Sequence, residues 1–198
     1  IRLWTMRHER WLSPKYLCGE SYGVFRAAGL ADHLHSRYGM YLNGIVLLSG
    51  VLDFAPLREG PGNDLPALVF LPAFTATAHY HKKLPADLQA DLPKALAEAR
   101  EFAQGDYARA LLRGAALTTE ERAKIVAELA RLTGLPARVI EDNNLQVGSS
   151  TFRKKLLLEE GLIIGRYDAR ITGRDADKAA GYPRFDPSYA ATLGPFAA

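Results

Sequence analysis

A short run with a glycine at each end surrounds one serine: Gly19-Glu20-Ser21-Tyr22-Gly23. The G-x-S-x-G pattern is typical of a nucleophile elbow, a sharp strand-to-helix turn that exposes a serine hydroxyl above a sheet. Side chains two positions before and after the serine would collide as strand and helix approach, and Gly19 and Gly23 have none. The motif therefore predicts Ser21 as a nucleophile and the Tyr22 N–H, at the helix start, as an oxyanion-hole donor.

The elements around the motif have the order that such a turn needs. Residues 15–18 are a short strand candidate, and apolar residues recur at helical spacing from Tyr22 to about Arg37. The near-continuous apolar run at 44–52 is typical of a strand covered on both faces of a parallel sheet. With an amphipathic helix at 1–11, residues 1–54 predict a βαβ unit preceded by a helix. A Gly-rich turn with an inert serine is the alternative interpretation.

Beyond Asp53 the pattern changes from alternating strand and helix to an almost entirely helical block of about 100 residues. The predicted helices are 67–81 (interrupted at Pro72), 85–103, 105–113, one with a capping box at Thr118–Glu121 that runs to Leu132, 136–142, and one capped by Ser149 or Ser150 that runs to 158–161. From Ile163 onward the periodicity fades into loop. This organisation predicts a sheet domain that carries a helical insertion or cap.

The residues beside the serine point to one family. With Glu20 before it and Tyr22 after it, the motif resembles the signature of the serine carboxypeptidases, which have an α/β-hydrolase fold. Lipases and other esterases usually place different residues there. Further segments resemble the bacterial branch of that family, so the resemblance spans nearly the whole chain: 11–17, 26–31, 42–54, 61–66 and 165–173.

The resemblance implies an α/β fold, present here as a partial α/β-hydrolase with a mostly α-helical cap insertion. Residues 1–54 would form the core segment with the nucleophile elbow, 55–165 the helical cap, and 166–198 a return segment toward the rest of the core. The implied reaction is release of a C-terminal residue from a peptide through an acyl-enzyme on Ser21. The implied location is secreted or periplasmic.

The resemblance also assigns a role to Glu20, which would bind the free C-terminal carboxylate of the peptide substrate. A carboxyl group binds a carboxylate only when the two share a proton, which favours acidic pH. A solvated or capping carboxylate at a helix N-terminus is the alternative for Glu20. No cofactor and no metal are implied.

The sequence departs from the family at the other catalytic positions. The family order is nucleophile, then Asp, then His, and nothing after Thr172 matches the context of either. The Gly-rich oxyanion loop expected before the nucleophile is also not found. Because the chain begins at Ile1 without a Met or signal peptide, we expect an internal piece that is inactive alone.

Local residues offer few substitutes for the missing base and acid. Three histidines, His8, His33 and His35, are expected at the surface of predicted helices. His79 and His81 lie at the head of the insertion and are the local candidates for a base, and no third residue completes a metal site with them. A serine esterase and a non-catalytic hydrolase-fold binding module remain as alternative functions.

Two further possibilities carry little weight. Asp53 follows the second strand, where some α/β hydrolases place the catalytic acid, but the resemblance makes this position structural. Residues 127–143 followed by the basic run 153–155 have a helix–turn–helix order. The predicted helix before the turn carries as many acids as bases, so no basic face for nucleic acid results.

Composition excludes several classes. The 198 residues are 48% hydrophobic and 24% charged, which is ordinary for a globular protein, and a net charge of +3 is too small to indicate nucleic acid or an anionic membrane. The single cysteine, Cys18, excludes an internal disulfide and a cysteine-based metal cluster. No apolar run approaches the roughly 18 residues of a membrane helix. The oligomeric state stays open.

Overall fold

The computed structural model describes residues 1–60 and 62–193. The chain divides into two compact units, Ile1–Phe54 and Ala55–Ala198, and the fold mixes helices with short strands, as an α/β class requires. Pro61, from the segment 61–66, and the last five residues of the predicted return segment lie outside the described residues. Assigning these ranges to a hydrolase core, cap and return segment stays a prediction.

Unit 1, Ile1–Phe54, has the predicted order of elements: helix, strand, turn, helix and strand. The elements are α1 (Arg2–Arg7), β1 (Tyr16–Glu20), α2 (Gly23–Tyr38) and β2 (Gly44–Leu48). β1 and β2 pair in parallel, with a register that runs from Tyr16 opposite Gly44 to Glu20 opposite Leu48. The helix α2 packs on both strands, so the predicted βαβ unit is confirmed.

The first helix is shorter than predicted. α1 ends at Arg7 rather than near Trp11, because Glu9 adopts a left-handed φ of +55° that no α-helix continues through. The Arg10 N–H then donates to the Thr5 carbonyl at 2.8 Å and closes the end of the helix.

The expectation that β2 is covered on both faces is wrong for this chain. Its four apolar side chains, Ile45, Val46, Leu47 and Leu48, are 41–54% exposed. In the described residues the parallel sheet has only two strands, and α2 is the one helix of unit 1 that packs on it with a buried side. Two strands and one helix cannot enclose a sheet on both faces.

Unit 2, which begins at Ala55, is mostly helical. Its described helices are α3 (Leu65–Tyr80), α4 (Ala86–Gln89), α5 (Leu92–Gln104), α6 (Asp106–Arg113), α7 (Thr119–Thr133), α8 (Ala137–Asp142), α9 (Ser149–Lys155) and α10 (Pro187–Leu193). Two short strands, β3 (Leu162–Ile164) and β4 (Thr172–Arg174), form an antiparallel pair. These strands and α10 lie where the sequence predicted only loop.

The core of unit 2 is continuous from α3 to β3. Phe74 and Phe152 stack at its centre with ring centroids 4.2 Å apart, and Leu132 and Ile140 are fully buried beside them. The Lys154 ammonium is also fully buried and pairs with Asp175 at 2.6 Å. In the described residues, no helix is long and apolar enough to cross a membrane.

Three helix boundaries test the sequence predictions. The capping box of α7 is confirmed: the Thr118 hydroxyl accepts the Glu121 N–H, and the Glu121 carboxylate accepts the Thr118 N–H. The predicted interruption at Pro72 is wrong, because α3 runs through it and forgoes one backbone hydrogen bond inside a packed core. The predicted serine cap of α9 is also wrong, because the Glu59 carboxylate accepts the Ser149 N–H at 2.8 Å.

Candidate functional site

Ser21 lies at the turn between β1 and α2, directly after the last residue of the strand. Its φ is +53°, a left-handed conformation that non-glycine residues adopt only when the surrounding structure holds them. Two backbone hydrogen bonds hold it: the Ser21 N–H donates to the Leu48 carbonyl at 2.9 Å, and the Ser21 carbonyl accepts the Val24 N–H at 3.1 Å. This strained, anchored turn is the backbone geometry that a nucleophile elbow requires.

Only one of the two glycines that flank the serine lies in a crowded position. A Cβ at Gly19 would lie 2.3 Å from the carbonyl oxygen of Gly23 and 2.9 Å from the Val24 nitrogen, so no side chain fits there. A Cβ at Gly23 would have no heavy atom within 4 Å. The collision that the sequence predicted on both sides of the serine is therefore found at Gly19 and not at Gly23.

The polar groups next to Ser21 are open to solvent. Ser21 and Glu20 are exposed, and the Tyr22 side chain is 57% exposed. Tyr22 is the N-cap residue of α2, and in the fully described unit 1 its N–H has no hydrogen-bond partner. A free N–H at a helix start, beside an exposed hydroxyl, is an arrangement that stabilises developing negative charge.

The histidines of unit 1 lie against aromatic rings. His8, His33 and His35 are exposed, as predicted, and each packs on an aromatic side chain with ring centroids 4.5–5.5 Å apart. Within residues 1–54, all described, no histidine is hydrogen-bonded to Ser21. Asp53 lies exposed in the segment after β2. The prediction that these three histidines lie at the surface is therefore confirmed.

His79 and His81 hold backbone carbonyls within unit 2. His79 Nε2 donates to the Gln89 carbonyl at 3.0 Å, and His81 Nε2 donates to the Ala169 carbonyl at 2.7 Å. These bonds fix the C-terminal end of α3 to two later segments. Among the described residues, no group of three or more His, Cys, Asp and Glu side chains could hold a metal ion.

A surface cleft of about 500 Å³ lies beside His79 in unit 2, lined in part by Tyr80, Tyr167, Asp168 and Arg170. The Arg170 guanidinium binds both oxygens of Asp168, at 2.9 and 2.7 Å. This hydrogen bonding lowers the pKa of Asp168 to about 2. Because the cation and the carboxylate neutralise each other, the cleft offers no free charge to a ligand from this pair.

Sequence reasoning missed three residues around the turn at Ser21. Ser49, directly after β2, has φ +46°, Gly50 lies against Val24, and the Phe54 ring packs on Phe25. The Ser49-Gly50 dipeptide after an apolar run was the available signal, since such dipeptides mark turns.

The chain matches no protein-family model, no curated protein and no solved structure.

Proposed function

We propose that the protein is a serine-type carboxypeptidase that releases C-terminal residues from peptides through an acyl-enzyme on Ser21. The observation that supports this most is the left-handed Ser21 at the junction of β1 and α2, with space for no side chain at Gly19. A left-handed φ costs free energy at a non-glycine residue, and strain of this kind concentrates at functional sites. Glu20 and Tyr22, on either side of the serine, make the carboxypeptidase the preferred member of the hydrolase class.

The proposed reaction uses the exposed groups at the turn. The Ser21 hydroxyl loses its proton to a base and its oxygen attacks the scissile carbonyl, whose oxyanion accepts the Tyr22 N–H. The same proton passes to the leaving amino group as the peptide bond breaks. Water then hydrolyses the ester and restores the serine.

Substrate selection falls to Glu20. The Glu20 carboxyl group would share a proton with the carboxylate at the peptide's free C-terminus and so hold that end of the substrate. We propose that the helical residues 55–165 are the cap of this fold. We also propose that the general base and its orienting Asp come from outside these 198 residues, and that the protein is secreted or periplasmic.

The decisive test compares two peptides on the intact protein that contains this chain. A free-acid peptide should be cleaved and its C-terminal amide should not, and a fluorophosphonate probe should label wild type but not Ser21→Ala. Equal turnover of both peptides would favour the esterase, and an unlabelled wild type would favour the binding module. Activity of the 198-residue chain alone that disappears in His79→Ala or His81→Ala would contradict an external base.

Glu20 has its own pair of variants. Glu20→Ala should lower kcat/KM for the free acid about 10- to 100-fold, the worth of a hydrogen bond to a charged group. Glu20→Gln keeps a hydrogen-bond donor and should retain more activity than Glu20→Ala. Glu9→Ala, another exposed acid of unit 1, is the matched control and should leave kcat/KM unchanged.

A further inference from the structure

The segment after β2, residues 49–54, turns back to the helix that follows the nucleophile. Ser49 has φ +46°, and its side chain is exposed, so burial of that side chain does not explain the conformation. β1 and β2 pair up to Glu20 opposite Leu48, which places Ser21 and Ser49 next to each other at the same end of the sheet. Two neighbouring strands thus both end in a left-handed serine, and each turn redirects the chain toward α2.

The second residue of this segment contacts the helix start. A Cβ at Gly50 would lie 3.0 and 3.1 Å from the two Val24 methyl groups, closer than ordinary packing allows. Val24 is only 4% exposed, and its N–H donates to the Ser21 carbonyl at 3.1 Å. Gly50 therefore covers the residue that is bonded to the nucleophile's own backbone.

The last residue of the segment contacts the same turn of helix from another side. The Phe54 ring, half-buried, lies 5.2 Å from the Phe25 ring and 6.3 Å from the Tyr22 ring, both in tilted geometry. Leu52, between the two contacts, is almost fully exposed. Both ends of the segment 49–54 therefore contact the start of α2, at the residues that directly follow Ser21.

We propose that Phe54, with Gly50, is a positioning residue that holds the first turn of α2, and so Ser21 Oγ and the Tyr22 N–H, in the geometry needed for acylation. The inference rests on the proposed function of Ser21. These side-chain contacts add to the two backbone hydrogen bonds of Ser21, in a unit where one side of α2 packs on two strands whose apolar residues are half-exposed. Errors of about 1 Å in such a site cost on the order of 100-fold in rate.

The test measures the rate of Ser21 labelling by a small fluorophosphonate, together with kcat and KM for a free-acid peptide, on the intact protein. Phe54→Ala should slow labelling and lower kcat about 10-fold or more, with KM nearly unchanged. Phe54→Tyr keeps the ring and should restore both rates. Gly50→Ala should slow labelling through Val24, without altering Phe54.

Gly44→Ala is the matched control, since a Cβ there also meets a side chain at 3.1 Å, that of Tyr16, but at the opposite end of β2. It should leave labelling unchanged. The probe carries no peptide side chain, so normal labelling of Phe54→Ala with a raised KM would make Phe54 a substrate contact and overturn its positioning role. Normal labelling with normal kinetics would overturn it too. No labelling of wild type would instead remove the proposed function, and this role with it.

Discussion

Unit 1 and unit 2 both contain many apolar residues but place them differently. In unit 2 the helices α3 to α9 bury a continuous core, with Leu132 and Ile140 fully enclosed. In unit 1 the apolar strand β2 is half-exposed, and the apolar side chains of α1 are exposed as well. The candidate site lies in unit 1.

The difference follows from how helices and sheets satisfy their backbone hydrogen bonds and cover their apolar faces. A helix satisfies its backbone within one segment, so helices adjacent in sequence can bury their apolar faces on one another. A parallel sheet needs strands and helices from distant sequence to cover its faces. Unit 2 therefore closes its core with local elements, whereas unit 1 leaves open surface that a larger sheet would cover.

Separating the units should have the largest effect. Residues 55–198 alone should unfold cooperatively on heating, because their core is internal to the unit. Residues 1–54 alone should show no cooperative transition, because a two-stranded sheet with open faces buries too little. Circular dichroism melting of both pieces and of the whole chain checks this. A cooperative transition in residues 1–54 would contradict the prediction that this unit buries too little to fold alone.

The buried ion pair of unit 2 should give the next largest effect. Asp175→Asn should cost about 3–5 kcal/mol, because it leaves the Lys154 ammonium buried without its partner. The Lys154 hydrogen bond lowers the pKa of Asp175 below its value in the unfolded chain. This stabilisation is therefore present above the unfolded value, about 3.9, and is lost as pH falls through the lower folded value.

Urea unfolding at neutral pH measures the cost of Asp175→Asn. The same measurement near pH 3 shows how much of the stabilisation by the ion pair is lost at low pH. The exposed carboxylate Asp32 of unit 1 offers a control, since Asp32→Asn should change the free energy of unfolding by less than about 0.5 kcal/mol. A cost below about 1 kcal/mol for Asp175→Asn would mean that the pair contributes little.

A leucine-to-alanine substitution in each unit tests the difference in side-chain burial directly. Leu132→Ala in the fully buried core should cost about 2–5 kcal/mol, from lost burial and a residual cavity. Leu47→Ala, at a side chain that is 54% exposed, should cost about 1 kcal/mol or less. Chemical denaturation of the two variants measures the ratio. Equal costs would show that β2 is covered in solution.

Helix capping should give the smallest effect. Thr118→Ala removes the hydroxyl that caps α7 and should cost about 1 kcal/mol, while Thr118→Ser keeps it. The contrast is with α2, whose N-cap residue Tyr22 makes no side-chain cap hydrogen bond. Thermal melting resolves the shift, and no difference between the Ala and Ser variants would contradict it.

Features that depend on neighbouring residues could be predicted from the amino-acid sequence. The strand–turn–helix around Ser21, the order of elements in unit 1 and the capping box at Thr118 all follow from contacts a few residues apart. The chemical class proposed for the site also came from adjacent residues, Glu20 and Tyr22.

Features that depend on residues distant in sequence could be read only from the fold. Pro72 lies inside a helix because a packed core offsets the lost hydrogen bond, and α9 is capped by Glu59 from 90 residues away. The exposure of β2 and the return of Phe54 to the first turn of α2 are likewise set by contacts across the fold. Local patterns record what a residue prefers, whereas burial and long-range bonds depend on which other segments reach it.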